Sequence, residues 1–296
     1  MAISNKIKEK IQLLKNEYET LRLGKESLLT LIDENEMPES TYNSNAIENS
    51  TLTLKETEKI LLDMEISREV SLREVFEAKN LAQVMSYIKT KSQESDINKE
   101  LILFFHKMLL NNIKDSFAGR FRKTGEYVRV GNHIAPAPEH VESMIHSLIS
   151  EYTSDLSGYF IDKIAKFHLS FETIHPFVDG NGRIGRVIIC FQLQRLGLPM
   201  IIIRDKEKGK YYDSFDEFKN SKSTKIMEKV IYLAVMESLH KRITYLKGDK
   251  IINVSDYAKN TNRILASLLN SARSQNIPAF RERGVWKIGE NYKIKK

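Results

Sequence analysis

The chain has 296 residues, with 46 Lys/Arg against 39 Asp/Glu and a formal net charge of +7. Its 41% hydrophobic content is enough for a sizeable core, and 29% charged residues suit a solvated surface. One cysteine, Cys190, excludes an intramolecular disulfide, and no apolar run approaches the length of a membrane span.

Residues from about 5 to 92 read as helices, carried by Ile7, Ile11, Leu14 and Tyr18, then Ile60, Leu61 and Met64, then Val75, Ala78, Leu81, Val84, Met85 and Ile88. They form an N-terminal helical domain over 1–92. Within it Ser44, with Glu48 one turn on, fits a helix N-cap. Thr53-Leu54-Lys55-Glu56 fits a capping box that opens the next helix. Residues 97–240 form a second domain. Leu101 to Leu110 reads as a buried helix in which His106 is a core or cap histidine. Gly131-Asn132, between Val130 and Ile134, reads as a short hairpin turn.

From Ile161 to Ile174 apolar residues recur at 161, 164, 167, 171 and 174, which is helical spacing. Ile184, Val187, Ile188, Phe191 and Leu196 continue it after a break. Between them lies His175-Pro176-Phe177-Val178-Asp179-Gly180-Asn181-Gly182-Arg183-Ile184-Gly185-Arg186, a helix–loop–helix corner. Pro176 suits the exit from the first helix, since it cannot donate the next helical hydrogen bond. Gly180 and Gly182 let the backbone turn tightly and approach a ligand closely. The start of the second helix presents N–H groups and a dipole that favours anions. Arg183 and Arg186 share one face there, and guanidinium forks match phosphate oxygens. Asp179 supplies a hard oxygen donor for Mg²⁺, which is normally held by one or two carboxylates plus substrate phosphates. His175 titrates near neutral pH and suits a general base. Cys190, on the same helix, reads as inert packing.

This motif resembles the signature of the Fic (Fido) family, His-Pro-Phe-x-Asp/Glu-Gly-Asn-Gly-Arg-x-x-Arg, and matches it at every position; His168 to Ile174 looks like the helix that leads into it. The resemblance implies transfer of AMP from ATP to a Ser, Thr or Tyr hydroxyl of a protein target. In that reading His175 deprotonates the hydroxyl and Asp179 holds Mg²⁺ or Mn²⁺. Gly180, Asn181 and Gly182 form the anion hole, Arg183 binds the β-phosphate region and Arg186 the γ-phosphate, with Gly185 in the same ATP-binding motif. The Doc branch, which phosphorylates its target, carries Lys where this chain has Gly182. Gly119 to Arg122, followed by Val128, Arg129, Val130 and Gly131, resembles the family's flap, a hairpin that aligns the target by strand pairing. Tyr211 and Tyr212 follow the motif at the interval of a nucleoside-contacting tyrosine, and Tyr212 is the candidate carried forward. Ser44-Asn45-Ala46-Ile47-Glu48-Asn49 resembles the family's inhibitory motif, in which the glutamate, here Glu48, reaches the second motif arginine, here Arg186.

Residues 241–296 differ in character, with thirteen Lys/Arg and four Asp/Glu, a formal +9, which leaves the remainder about neutral. Ser255 and Thr261 are candidate caps of two short helices, and a ribbon follows around Val285 to Ile288. This basic domain, 247–296, resembles a winged helix, with Arg263 and Arg273 on the recognition helix. It reads equally as a DNA-binding element or as a docking module for targets or a homodimer.

The reading is a mainly α protein: a Fic-type helical core with a β-hairpin flap, an N-terminal helical domain and a small C-terminal winged-helix-like domain. It is an adenylyltransferase restrained by Glu48, with self-modification as one outcome. The alternatives are removal of AMP on the same fold, or a DNA-binding regulator with a nucleotide-sensing core. Met1 to Lys10 is polar and charged, with no visible secretory signal, so a cytoplasmic location without a membrane partner is expected.

Overall fold

The computed structural model describes residues 3–66, 70–131 and 133–293. The first half is built from α1 (Asn5–Leu21), α2 (Glu26–Ile47), α3 (Leu54–Glu58) with a π-helical turn at Lys59–Asp63, α4 (Leu72–Lys91) and α5 (Lys99–Leu110). A two-stranded hairpin follows, β1 (Arg129–Val130) and β2 (His133–Ile134). Then come α6 (Pro138–Ser154), α7 (Phe160–Ile174), α8 (Asn181–Arg195), α9 (Lys208–Ser221) and α10 (Lys225–Leu246). The chain ends in β3 (Ile251–Asn253), α11 (Val254–Asn260), α12 (Leu265–Arg273), β4 (Phe280–Glu282) and β5 (Val285–Gly289). Those last three strands form an antiparallel sheet in the order β3-β5-β4.

One hydrophobic core runs from Ile3 to Leu246, so segments 1–92 and 97–240 bury their apolar faces together. Val254, Tyr257, Leu268, Ala272 and Ile288 make a smaller core under the C-terminal sheet. α7 and α8 sit at the centre of the large core. Ile161, Ile164, Phe171 and Ile184 are fully buried there, and α4, α5, α6 and α10 surround them.

Cap chemistry sets the joints. Thr53 and Glu56 form a reciprocal capping box at the start of α3. Ser44 is not an N-cap, because it lies in the last turn of α2. That helix ends at Glu48, and Asn49 takes a left-handed φ of 65°. The Asn49 N–H reaches Ala46 O and the Ser50 N–H reaches Asn45 O, both at 3.0 Å, which is a Schellman closure. Asparagine tolerates that conformation better than most residues, so the Glu48-Asn49 pair both stops the helix and releases the glutamate side chain at its end. In the C-terminal module Asn253 precedes α11 and Ser255 lies inside it. Thr261 ends α11 instead of opening α12, because its hydroxyl donates back to Tyr257 O at 2.7 Å.

Candidate active site

His175 closes α7 in the left-handed region, with φ 49° and its N–H on Phe171 O at 2.9 Å. Pro176 then stops the helix. Arg122, 3% exposed, fixes this turn by donating to the carbonyls of His175 (2.8 Å), Pro136 (2.9 Å), Glu126 (3.1 Å) and Ile174 (3.3 Å). One buried guanidinium thereby ties the base of the hairpin to the histidine. The loop is closed from within by Asn181, whose amide accepts from Phe177 N–H and donates to Phe177 O, both at 2.9 Å. Beneath it His106 stacks on Phe177 at 3.7 Å, and its Nε2 sits 3.0 Å from Asp179 O. Its Nδ1 accepts the Gly119 N–H at 3.1 Å, so Nε2 carries the proton and donates. Burial pushes His106 down to about 4, which keeps the ring neutral.

Gly180 precedes α8 with φ 83°. The first backbone bond of α8 is Ile184 N–H to Gly180 O at 3.0 Å, so the N–H groups of Asn181, Gly182 and Arg183 stand ahead of the helical ladder. Such a helix start attracts an anion. A Cβ on Gly182 would lie 2.2 Å from Glu48 Oε1, so the carboxylate of Glu48 already rests against it. Arg186 makes the same meeting from the other side. Its Nη2 donates to Glu48 Oε1 and to Ser44 O, each at 2.8 Å, and its Nε donates to Ser44 Oγ at 2.9 Å. Burial disfavours the Arg186 cation, but Tyr211 and Glu48 hold its pKa above the ordinary value.

Arg183 and Asp179 belong to a second charge group that α4 completes. Arg183 pairs with Glu77 at 3.0 Å and Asp179 at 3.1 Å. Arg73 pairs with the same two carboxylates, at 3.0 and 2.6 Å. Burial raises the Asp179 pKa, and the guanidiniums of Arg183 and Arg73 outweigh it, so the net shift is downward. Two hard carboxylates sharing the same pair of cations suit a divalent ion, which would then displace guanidinium from Asp179. Among the described residues no group of three or more His, Cys, Asp or Glu comes together as a metal site. An Mg²⁺ ion held by one or two carboxylates ordinarily takes its other ligands from substrate phosphates and water.

Glu172 lies under this site. Burial and the nearby Glu48 raise its carboxyl to about 8, against the pull of Arg186. Its Oε2 is 3.8 Å from His175 Nδ1. Gly185 leaves room for it: a Cβ there would lie 2.4 Å from Glu172 Oε1. In the fold this carboxyl keeps its proton up to about pH 8, whereas its ordinary value is 4.5, so it loses stability as pH rises through that window. Buried His106, His168 and His240, lowered to about 4, 3 and 4, give the opposite slope on the acid side. The unsubstituted chain and a Glu172→Gln variant share that acid slope, so it cancels in a comparison of the two. The melting temperature of Glu172→Gln, relative to the unsubstituted chain, should rise between pH 5 and pH 8. An offset identical at both pH values would refute the buried neutral carboxyl.

The structure thus brings His175, Asp179, Gly180, Gly182, Arg183, Arg186, Ser44 and Glu48 to one place. Asn181 contributes only its backbone, because its side chain is spent on the loop. Gly185 faces Glu172 and His168, and its lack of a side chain lets α7 and α8 pack closely there. Tyr211 is buried, with its hydroxyl 2.9 Å from His168 Nε2 and 3.3 Å from Arg186 Nη1. Tyr212 is half-exposed and donates to Ile47 O at 2.9 Å. In the hairpin Arg129 pairs with Ile134 and Val130 with His133. Arg129 Nε donates to Gly131 O at 2.8 Å, Val128 O accepts from Ala135 N–H at 3.2 Å, and Asn132 lies outside the described residues. Arg73, Glu77 and Glu172 escaped the sequence reading. A charged residue on an amphipathic helix carries no local sign of its partner, and only Glu172, three residues before the motif histidine on one helical face, had such a sign.

Residues 96–193 match the Fic/DOC family. A protein from Nematostella vectensis named protein adenylyltransferase Fic is 34% identical over 182 residues, covering 60% of this chain and 42% of that protein. The chain therefore spans less than half the length of this curated relative. A Fic-domain-containing signaling protein from Bacteroides thetaiotaomicron superposes with a TM-score of 0.73 at 26% identity, over 81% of this chain and 97% of that one. A Fic family protein from Desulfovibrio desulfuricans shares the fold along the whole chain, with a TM-score of 0.68 at 17% identity, covering 99% of that protein.

Proposed function

We propose, from the premise that this chain carries a Fic/DOC-family domain at residues 96–193, that it is a protein adenylyltransferase restrained by its own Glu48. The carrying observation is that one loop joins the histidine at the end of α7 to the anion-attracting start of α8, with two buried arginines behind it. The target hydroxyl attacks the α-phosphorus of ATP and its proton passes to His175. The bond from the α-phosphorus to the bridging oxygen breaks, and pyrophosphate leaves. The N–H groups at the start of α8 and the two arginines hold the phosphate charge, so the protein mainly positions and stabilises. Asp179, with Glu77 beside it, would hold Mg²⁺, which when bound neutralises phosphate charge. The hairpin at 128–134 offers exposed strand edges to a target segment. Among the described residues no helix is long and apolar enough to cross a membrane.

In the restrained state Glu48 fills the position at Gly182 and Arg186 that a terminal phosphate of ATP would take. The chemistry is tested with label. Incorporation should come from α-³²P-ATP and not from γ-³²P-ATP, and should stop with a chelator. Asp179→Ala should lose transfer even at high ATP, on the order of a hundredfold or more for removal of a metal-holding carboxylate. Glu77 remains as a partner for both arginines, so the variant should fold. Label from the γ-position would overturn the assignment in favour of phosphoryl transfer.

A further inference from the structure

α2 carries Ser44 and Glu48 at its end, and it contains Pro38. A proline there has no N–H for the carbonyl four residues back, so the helix has a built-in weak point between two halves. The first half is anchored to α10 and α4. Asp33 pairs with Arg242 at 2.6 Å and Lys89 at 3.0 Å, and Glu36 with Arg242 at 2.7 Å and Lys241 at 3.0 Å. The second half is held differently. Glu39, one residue past the proline and 4% exposed, accepts the backbone N–H groups of Arg283 at 3.0 Å and Gly284 at 3.1 Å. It also pairs with Arg204. Arg283 and Gly284 form the tip of the β4–β5 hairpin, and Arg283 Nε pairs with Glu58 of α3 at 3.0 Å. One hairpin tip therefore grips the chain on both sides of Glu48.

The hairpin is itself fixed to the core. Arg281 bonds Glu237 at 2.6 Å and Glu207 at 2.9 Å, Glu282 accepts from Tyr245 at 2.6 Å, and Phe280 is fully buried. A carboxylate as buried as Glu39 needs its partners, so the second half of α2 does not leave the hairpin cheaply. Nine residues separate Glu39 from Glu48, about 13 Å and two and a half turns, which puts them on opposite sides of the helix. The hairpin holds one side while Arg186 holds the other.

We propose that the C-terminal module sets the restraint: the β4–β5 hairpin clamps α2 beyond the Pro38 weak point, and Glu39 is the positioning residue that keeps Glu48 at Gly182 and Arg186. This rests on the inhibitory reading of Glu48. Tyr212 on Ile47 O and the Asp205 N–H on Asn43 Oδ1, at 2.9 and 3.0 Å, also hold this half, so loss of the clamp releases Glu48 in part.

The test uses the full chain and measures the Kd of Mg²⁺-ATP by calorimetry, so it needs no target protein. Glu39→Ala should tighten ATP binding at least about fivefold, the low end of coupling between two sites. Arg283→Glu, which changes an exposed side chain and sets like charge against Glu58, should act in the same direction by less. It decides the question if Glu39→Ala does not fold. In a Glu48→Gly background neither change should tighten binding further, whereas a merely structural role would weaken binding in both backgrounds. If Glu48→Gly tightens ATP but Glu39→Ala and Arg283→Glu do not, the clamp alone is wrong. Equal tightening in both backgrounds also overturns it, because the effect then bypasses Glu48. If Glu48→Gly itself leaves ATP affinity unchanged, the inhibitory reading fails and takes the clamp with it.

Discussion

Glu48→Gly should transfer AMP faster than the unsubstituted chain, by about tenfold or more, a coupling of the size usual between a blocking group and a ligand. Its carboxylate lies 2.8 Å from Arg186 Nη2 and touches the start of α8 at Gly182. Removing it releases a buried guanidinium from its carboxylate partner and opens the start of α8 at Gly182 to phosphate. Little stability should be lost. Glu48 is the C-cap residue that follows α2 and not part of its interior, so glycine there costs no more than the roughly 0.5–1 kcal/mol of a glycine inside a helix. The side chain is 39% exposed, so the ion pair itself is worth about 1 kcal/mol or less after solvent screening. Arg186→Ala should cancel the gain, because the released partner is gone. The comparison is the initial rate of label incorporation from α-³²P-ATP for the unsubstituted chain, the single variant and the double variant. A folded Glu48→Gly chain no faster than its parent would defeat the restraint and leave the transferase assignment standing.

His175→Ala should bind ATP within a few-fold of normal and transfer almost nothing. The phosphate-facing groups belong to α8 and the arginines, and the loop between them is closed by Asn181 and His106, which the substitution leaves alone. Loss of a general base costs on the order of a hundredfold to ten-thousandfold in rate. The left-handed conformation at 175 is the one structural complication, since alanine suits it poorly. His175→Asn suits it well and lacks the imidazole, so the two variants together separate backbone strain from chemistry. Both should be inactive while retaining ATP affinity by calorimetry. Transfer near the parental rate in either one would remove His175 from the mechanism.

The motif from 175 to 186 was legible because its parts are covalently close. Helical spacing on each side, a proline at the exit and glycines at the turn define the corner without help from the rest of the chain. The Thr53–Glu56 capping box is local for the same reason, and it formed. Glu48 could be picked out from a six-residue pattern. What holds it at Arg186, 138 residues away, is a tertiary matter. The same distance hid Arg73, which reaches Asp179 across 106 residues. Helical periodicity says which face is buried but not which charged residue will meet which partner. Asn181 shows the limit within the motif: its type and position were plain, yet only the folded loop decided that its side chain would bond Phe177 and leave the backbone to face a ligand. Pro38 is the sharpest case. Taken alone it marks a helix end, but α2 runs through it because Asp33, Glu36 and Glu39 are each paired in the fold, and tertiary contacts of that number outweigh the cost of one missing hydrogen bond and a crowded ring.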